Sequence, residues 1–280
     1  MYCMEQMTDI PRRRQQAPCF GDLLKHWRSA RRMSQLDLAS EAEISARHLS
    51  FLETGRAQPS REMIHLLGNV LDIPFFDQNA LLLAAGFAPK YAHREIDAPE
   101  LEQVRRALEY ILRQQEPYPA LVIDEAWNIH MRNAASERIF RLFRNLSELP
   151  SNRAQNAMHI LCHPKGVRRF MTNWEEFVGP LIQSIHREAA AGNNGPVLQL
   201  RDELLSYPGM PVRWKTATTD AAPPLLTMRL KKDDLHLAFF TTLTTFANPH
   251  EVTLQQLRVE CLFPADKATE ETARRLADIN

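Results

Sequence analysis

The feature that most limits how this chain folds is the run Ser34-Gln35-Leu36-Asp37-Leu38-Ala39, followed after a short turn by Ile44-Ser45-Ala46-Arg47-His48-Leu49-Ser50-Phe51-Leu52-Glu53-Thr54-Gly55-Arg56. It predicts two short helices joined by a tight turn. Ser34 is placed to cap the first, with the Asp37 carboxylate near the positive helix end. Leu36, Leu38, Ala39 and Ala42 form its expected inward face. No glycine breaks the turn at Glu41 to Ile44, although many such turns contain one. Ile44 is expected in the core, Ser45 caps the second helix, and Leu49 and Leu52 give that helix its buried stripe. Its other face carries Ala46, Arg47, Ser50 and Phe51. That mixture suits a DNA major groove: Arg bonds guanine bidentately, Ser takes either base type, and Ala or Phe rests on a thymine methyl. Gly55 ends the helix, and Arg56 follows where a phosphate contact is useful.

The neighbouring segments complete a small helical domain. Phe20, Leu23, Leu24 and Trp27 mark an amphipathic helix that ends in Arg28, Arg31 and Arg32. Pro59-Ser60 opens a fourth helix, with Met63, Ile64, Leu66, Leu67, Val70 and Leu71 as apolar positions. Pro74 stops it, and Phe75 to Ala85 form a fifth before Gly86. Five short helices in under ~90 residues bury a core of their own. As a set, Gln35 to Ala39, Leu49 to Arg56, Pro59-Ser60 and Leu71-Asp72-Ile73-Pro74 resemble the Cro/repressor type of helix-turn-helix, the XRE family. The resemblance implies an all-α five-helix DNA-binding domain over 18–88. It places Gln35 on the DNA backbone and turns Ala46, Arg47, Ser50 and Phe51 toward base edges; with Ser45 and Arg56 these make up the DNA-binding set expected here. Ala46 and Phe51 stand where several members carry amides, so no relative lends this chain its operator sequence.

Charge agrees locally and not globally. Lys+Arg and Asp+Glu both number 34, so no overall field draws nucleic acid to the chain. Residues 11–65 differ: ten basic groups, from Arg12, Arg13 and Arg14 to Arg61, face six acidic ones. Such a surplus suits phosphate neutralisation, and the acidic remainder argues against a second DNA surface. Arg12 to Arg14 read either as an arm that reaches a groove or as a solvated tail. At 280 residues two domains are expected, and a hydrophobic content of 44% supports an ordered remainder. No run of ~18 apolar residues predicts a membrane span, and Met1 to Arg14 lacks the apolar core of a signal peptide. Cys3, Cys19, Cys162 and Cys261 follow no pairing pattern and read as reduced thiols of a cytoplasmic protein.

The expected domain boundary is the proline-flanked stretch 88–99. Leu101, Val104, Leu108, Ile111 and Leu112 then predict an amphipathic helix that connects the domains or packs between protomers. Ala120 to Ile123 reads as a buried strand, Asp124-Glu125 as a turn, and Trp127 to Met131 as a return strand. Asn133 caps a helix through Phe143, and further helices are expected over 154–162, 167–191 and 197–207. Strands return at 212–217, 225–230, 235–245 and 259–263, before a helix from about Asp266. Strands, then helices, then strands predict an α+β domain on one antiparallel sheet, the order of PAS-type sensors.

A second resemblance covers residues 100–266, carried by Pro119 to Asp124, Asn128 to Asn133, Leu161-Cys162-His163-Pro164, Asn173-Trp174-Glu175 and the Thr-rich strand. These are similar to the MmyB-like ligand-binding domain that follows helix-turn-helix regulators. That family implies a PAS-like fold and an apolar pocket between sheet and helices, with a fatty acid or similar apolar molecule as ligand. Trp127, Phe140, Phe143, Trp174, Phe177 and Trp214 are the aromatics available to line it, or to form core. His159, Cys162 and His163 lie close in sequence but lack a further metal ligand or an orienting partner, so neither metal nor catalytic residues are assigned. Glu175-Glu176 diverge on a helix and are expected at the surface. The nine glycines include no phosphate-binding loop, and no cofactor is expected.

Two functional classes remain. In the first, the chain is a sequence-specific DNA-binding transcriptional regulator, a homodimer on a double-stranded operator, whose DNA binding responds to a small apolar effector. In the second, the C-terminal domain serves only dimerisation or protein docking. An enzyme fused to a DNA-binding domain is a distant third.

Overall fold

The computed structural model describes residues 19–143, 149–191, 195–210, 225–247, 249 and 251–278. These form two compact units, one built from residues up to Ile73 with Gln78–Lys90, the other from Pro74–Asp77 with the chain from Tyr91 onward.

The helical unit contains α1 (Phe20–Ala30), α2 (Gln35–Glu41), α3 (Ala46–Glu53), α4 (Arg61–Val70) and α5 (Phe75–Ala84). Serine caps open three of them. The Ser34 hydroxyl accepts from the Asp37 N–H while the Asp37 carboxylate accepts from the Ser34 N–H, a complete capping box. Ser45 and Ser60 cap α3 and α4 through the N–H groups of His48 and Met63. Leu24, Leu38, Leu49, Leu52 and Ile64 are fully enclosed at the centre. Leu36 departs from expectation and is 69% exposed. The buried stripe of α2 is set by Leu38, Ala39 and Ala42, and a residue two positions before Leu38 lies on the opposite side of the helix.

All five helices end alike. The residue past each cap takes a left-handed backbone: Arg32 (φ 56°), Glu43 (φ 52°), Gly55 (φ 71°), Asp72 (φ 46°) and Gly86 (φ 85°). The next N–H then reaches back to a carbonyl five residues earlier, as in Ile44 to Ala39 (2.9 Å), Arg56 to Phe51 (2.8 Å) and Phe87 to Leu82 (2.8 Å). Glu43 thus does in the helix-turn-helix turn what a glycine often does. Met33, Ile44, Ile73 and Phe87, which follow four of these corners, pack into the core, whereas Arg56 is exposed.

The second unit runs α6 (Glu102–Gln114), β1 (Ala120–Ile123), β2 (Ile129–Arg132), α7 (Ala134–Arg141), α8 (Ala157–Cys162), α9 (Trp174–Ala191), α10 (Gly195–Leu205), β3 (Thr227–Lys232), β4 (Leu235–Thr245), α11 (Val252–Gln256), β5 (Arg258–Pro264) and α12 (Lys267–Asp278). The five strands form one antiparallel sheet in the order β2-β1-β5-β4-β3. Leu121, Ile123, Phe239 and Leu262 face the helical layer of α7 to α10 and α12, while Ala120, Val122, Val259 and Cys261 face α6. Both faces are covered, so β1 is buried at every position instead of alternating. Leu108 and Leu112 of α6 fill the second face, so this helix serves its own sheet.

Several local expectations change for identifiable reasons. The stretch read as a boundary belongs to this unit from Tyr91 on: Val252 N–H donates to Ala92 O (3.0 Å), Arg94 N–H to Thr253 Oγ1 (2.9 Å), and Ile96 is buried. Trp127 lies in the β1–β2 turn with φ 64°, its N–H donating to Asp124 O, rather than in the return strand. The helix expected over 167–191 divides because residues 171–173 leave it to bond the edge strand β3. Thr172 N–H donates to Arg229 O, while the Asn173 amide accepts from Arg229 N–H (3.0 Å) and donates to Thr227 O (2.8 Å). A carboxylate at 173 makes only the first of those two side-chain bonds. Asn156 starts α8 later than expected by accepting from His159 N–H. The strand expected at 212–217 lies outside the described residues, and α11 had no counterpart in the sequence reading.

Candidate DNA-reading helix and ligand cavity

The proposed reading face of α3 is open. Arg47 is exposed, and Ala46, Ser50 and Phe51 are half-buried beside it, sharing one side of the helix by their spacing. Two guanidinium groups approach the Phe51 ring, Arg47 at 5.3 Å and Arg56 at 6.0 Å. Stacking of this kind limits the freedom of both cations before anything binds. The Ser45 hydroxyl accepts from His48 N–H at 3.1 Å as the cap and keeps its own proton to donate.

Beneath that face lies a group that sequence reasoning quoted only as part of a motif. Glu53, the last residue of α3, is 8% exposed. Its carboxylate accepts two hydrogen bonds from Arg28, Nε at 2.6 Å and Nη2 at 3.0 Å, and a third from Gln35 Nε2 at 2.7 Å. Burial alone raises a carboxyl pKa; here the bonds from Arg28 and Gln35 and the Arg28 charge more than offset it and hold Glu53 below the usual range. One carboxylate therefore ties α1, α2 and α3 together. Gly21 makes the packing possible, because a Cβ there falls 2.4 Å from Glu53 O. Two assignments shift accordingly. Arg28 belongs to this network and not to a phosphate-binding surface, and Gln35 has one of its two amide hydrogens engaged by Glu53. The signal in the sequence was an acidic residue at an inward helical position, next to Leu49 and Leu52.

In the second unit a cavity of about 50 Å³ lies between the sheet and the helices that cover it. Leu121 and Leu262 form its floor, and Phe140, Ile160 and Phe177 close it from α7, α8 and α9. Of the expected aromatics, then, Phe140 and Phe177 line it. Trp127, Phe143 and Trp174 are buried in the surrounding core without reaching it, and Trp214 lies outside the described residues. Trp174 is anchored by Nε1 donating to Leu161 O (2.9 Å) and by Arg168 stacked at 3.7 Å. Two ionisable residues line the cavity, Arg132 and Glu260. Arg132 donates to Gln155 Oε1 (2.7 Å) and pairs with Glu137 (3.4 Å). Glu260 has no such neighbour. Glu260 is half-buried, and desolvation of its carboxyl pushes its pKa up to about 7.

A larger, polar cleft of about 200 Å³ lies beside α8 and α10. Its charged and polar groups satisfy one another: His159 meets Glu203 at 3.2 Å and Tyr207 at 2.8 Å. Burial, assisted by the Arg153 charge, keeps His159 below its usual pKa despite Glu203. Cys162 points away into the core, its thiol pushed up to about 12 by burial, so no thiolate is populated at neutral pH. No group of three metal-ligating side chains forms among the described residues. Glu175 and Glu176 are exposed. No helix among the described residues is long and apolar enough to cross a membrane.

No curated protein matches the chain. A solved structure of an RNA-binding light-oxygen-voltage receptor aligns over 93% of this chain and 63% of its own, with 11% identity and a TM-score of 0.25. So loose a superposition bears on neither fold nor function, and the chain spans about 63% of that receptor's length. Family models are more informative. A helix-turn-helix domain matches residues 20–75, which hold α1 to α4, and the MmyB-like transcription regulator ligand binding domain matches residues 104–276, from α6 to α12. With a DNA-binding helix-turn-helix ahead of a covered five-stranded sheet and its cavity, the chain belongs to the family of transcription regulators with an MmyB-like ligand binding domain.

Proposed function

We propose that this DNA-binding transcription regulator is a sequence-specific homodimer of the XRE type, acting in the cytoplasm. The domain over 18–88 reads an operator, and the PAS-like domain over 100–266 modulates that reading when a small apolar ligand enters the cavity on the sheet. Arg47, Ser50, Ala46 and Phe51 meet base edges, while Gln35, through its second amide hydrogen, and Arg56 meet phosphates. The observation that carries the reading is the pairing of an exposed Arg47–Phe51–Arg56 stack with a buried Glu53 clamp that fixes its helix. The clamp keeps the face rigid, and the stack keeps it chemically suited to bases.

The size of the cavity supports a switch over a passive core. An aliphatic cavity of about 150 Å³ takes up benzene; this one is about 50 Å³. A ligand with an alkyl chain therefore has to part the helical layer from the sheet. A molecule that binds the parted arrangement better than the closed one shifts the population between them. Selection of bound duplexes from a random pool tests the whole reading. The expected product is a pair of related half-sites, bound with an affinity that falls steeply and linearly on a log-log salt plot. A pool that stays random after repeated rounds, or a flat salt response, rules out the operator-reading role.

A further inference from the structure

Glu260 is the group that the fold does not explain. Its place is set by sheet register. Leu121 of β1 stands opposite Glu260 on β5 and opposite Arg132 on β2, so the three residues form a row across one face. That face is turned to the helices, and the cavity lies over it. Thr241 on β4 and Ser136 on α7 supply the nearest hydroxyls, and Ser136 already donates to Ala120 O at 2.8 Å. Charged side chains other than Arg132 and Glu260 are absent from the described lining on α7, α8, α9, β3 and β4. Arg132 carries its own counter-charge in Glu137. The cavity wall therefore holds one uncompensated carboxyl, surrounded by Leu, Ile, Phe and Met side chains.

A carboxyl in such surroundings is disfavoured in its charged form, since partial burial removes water from it and no ion pair takes the water's place. Its protonation near neutrality, rather than full ionisation, is the expected response. A ligand can supply what the protein omits. A carboxylate ligand places like charge against Glu260 and has to compete with Glu137 for Arg132. A cationic nitrogen does the opposite: it donates charge-assisted hydrogen bonds to the one free acceptor, while its carbon chain contacts the apolar wall.

We propose that the cavity binds amphipathic organic cations, an alkyl chain ending in an ammonium or similar nitrogen base, with Glu260 as the residue that receives the head group. This rests on the ligand-sensor reading above and gives the apolar effector a defined polar end.

Calorimetric titration of the full chain with n-octylammonium, n-octanol and octanoate tests it directly. Octylammonium is expected to bind most tightly, about 10-fold or more better than octanoate, the range a charge-assisted bond supplies. Its affinity should rise between pH 6 and pH 8 as Glu260 ionises. In Glu260→Gln, which keeps the side-chain shape, octylammonium should lose about 10-fold while octanol is unchanged. Octanoate binding as tightly as octylammonium, an unchanged octylammonium affinity in Glu260→Gln, or no binding by octylammonium each overturns the proposal; the pH series needs no variant and stands if Glu260→Gln misfolds. Operator affinity measured with saturating octylammonium separates the two claims. Binding without any change in operator affinity leaves the cation site standing and removes its role as an effector site. A response to octanoate alone keeps the sensor and overturns the cation site.

Discussion

Two glutamates, one in each unit, meet loss of water in opposite ways: Glu53 is buried and Glu260 half-buried. Glu53 sits among α1, α2 and α3 with three hydrogen bonds to its oxygens and an arginine as counter-ion, and it stays ionised. Glu260 sits on a sheet face with no hydrogen bond or ion pair to offset its desolvation among the described residues, and its pKa rises to about 7. The same side chain is a tie in the first case and an unpaired group in the second. A unit that has to hold one helix at a fixed angle satisfies its buried charge internally. On the ligand-sensor reading proposed above, the second unit leaves one carboxyl for a ligand to satisfy.

The largest expected effect breaks the tie. Glu53→Ala strands the Arg28 guanidinium and the Gln35 amide, and removing one partner of a buried pair costs ~3–5 kcal/mol. Urea melts of the variant should show that loss together with lost operator binding; a melt like the wild type means the clamp is not a structural element. Next comes the opposite substitution in sign. Glu260 releases its proton at higher pH when folded than when unfolded, where the ordinary value is 4.5. Stability therefore falls as pH rises from about 4.5 to about 7, by at most roughly 3 kcal/mol. Glu260→Gln should be more stable than the wild type at pH 8 and nearly equal to it at pH 4. A stabilisation independent of pH contradicts the buried, unpaired carboxyl.

Smaller effects sharpen the contrast on the reading side. Arg47→Ala should weaken specific operator binding by ~1–3 kcal/mol, the worth of a bidentate base contact, and leave the melting curve unmoved. Equal affinity for the selected operator removes Arg47 from the base-reading set. Least of all, Glu43→Gly relieves a left-handed non-glycine residue but loosens the unfolded chain, and the two effects should cancel to within ~1 kcal/mol. A larger loss means the Glu43 side chain contributes something beyond its backbone conformation.

Sequence reading recovers what is decided locally. Ser34, Ser45 and Ser60 announce helix starts, and Leu49 and Leu52 announce the inner side of α3, because capping and helical periodicity act within a few residues. Three corners are less legible, since Arg32, Glu43 and Asp72 hold the left-handed backbone that glycine usually signals. The Arg28–Glu53 clamp spans 25 residues, and its meaning depends on how α1 crosses α3. Glu260 shows a different limit. Val259-Glu260-Cys261-Leu262-Phe263 alternates as a strand, which puts Glu260 on one face with Leu262. Only when helices cover both faces does that glutamate become an interior group. The cavity lining follows the same rule: Phe140 and Phe177 reach it and Trp127 and Trp174 do not, a distinction set by side-chain direction in the assembled layers and not by aromatic content.

The helix corners have a consequence for how such a regulator diversifies. Arg32, Glu43 and Asp72 are exposed, and their corners are closed by backbone bonds and by the apolar residue that follows, Met33, Ile44 or Ile73. Helix length and direction are thus set by main chain and core, while the corner side chains face water. A lineage can exchange acidic for basic residues at those three positions, and so redraw the surface charge of the helical unit, without moving a helix. Surface charge can then drift by mutation while the scaffold is inherited intact.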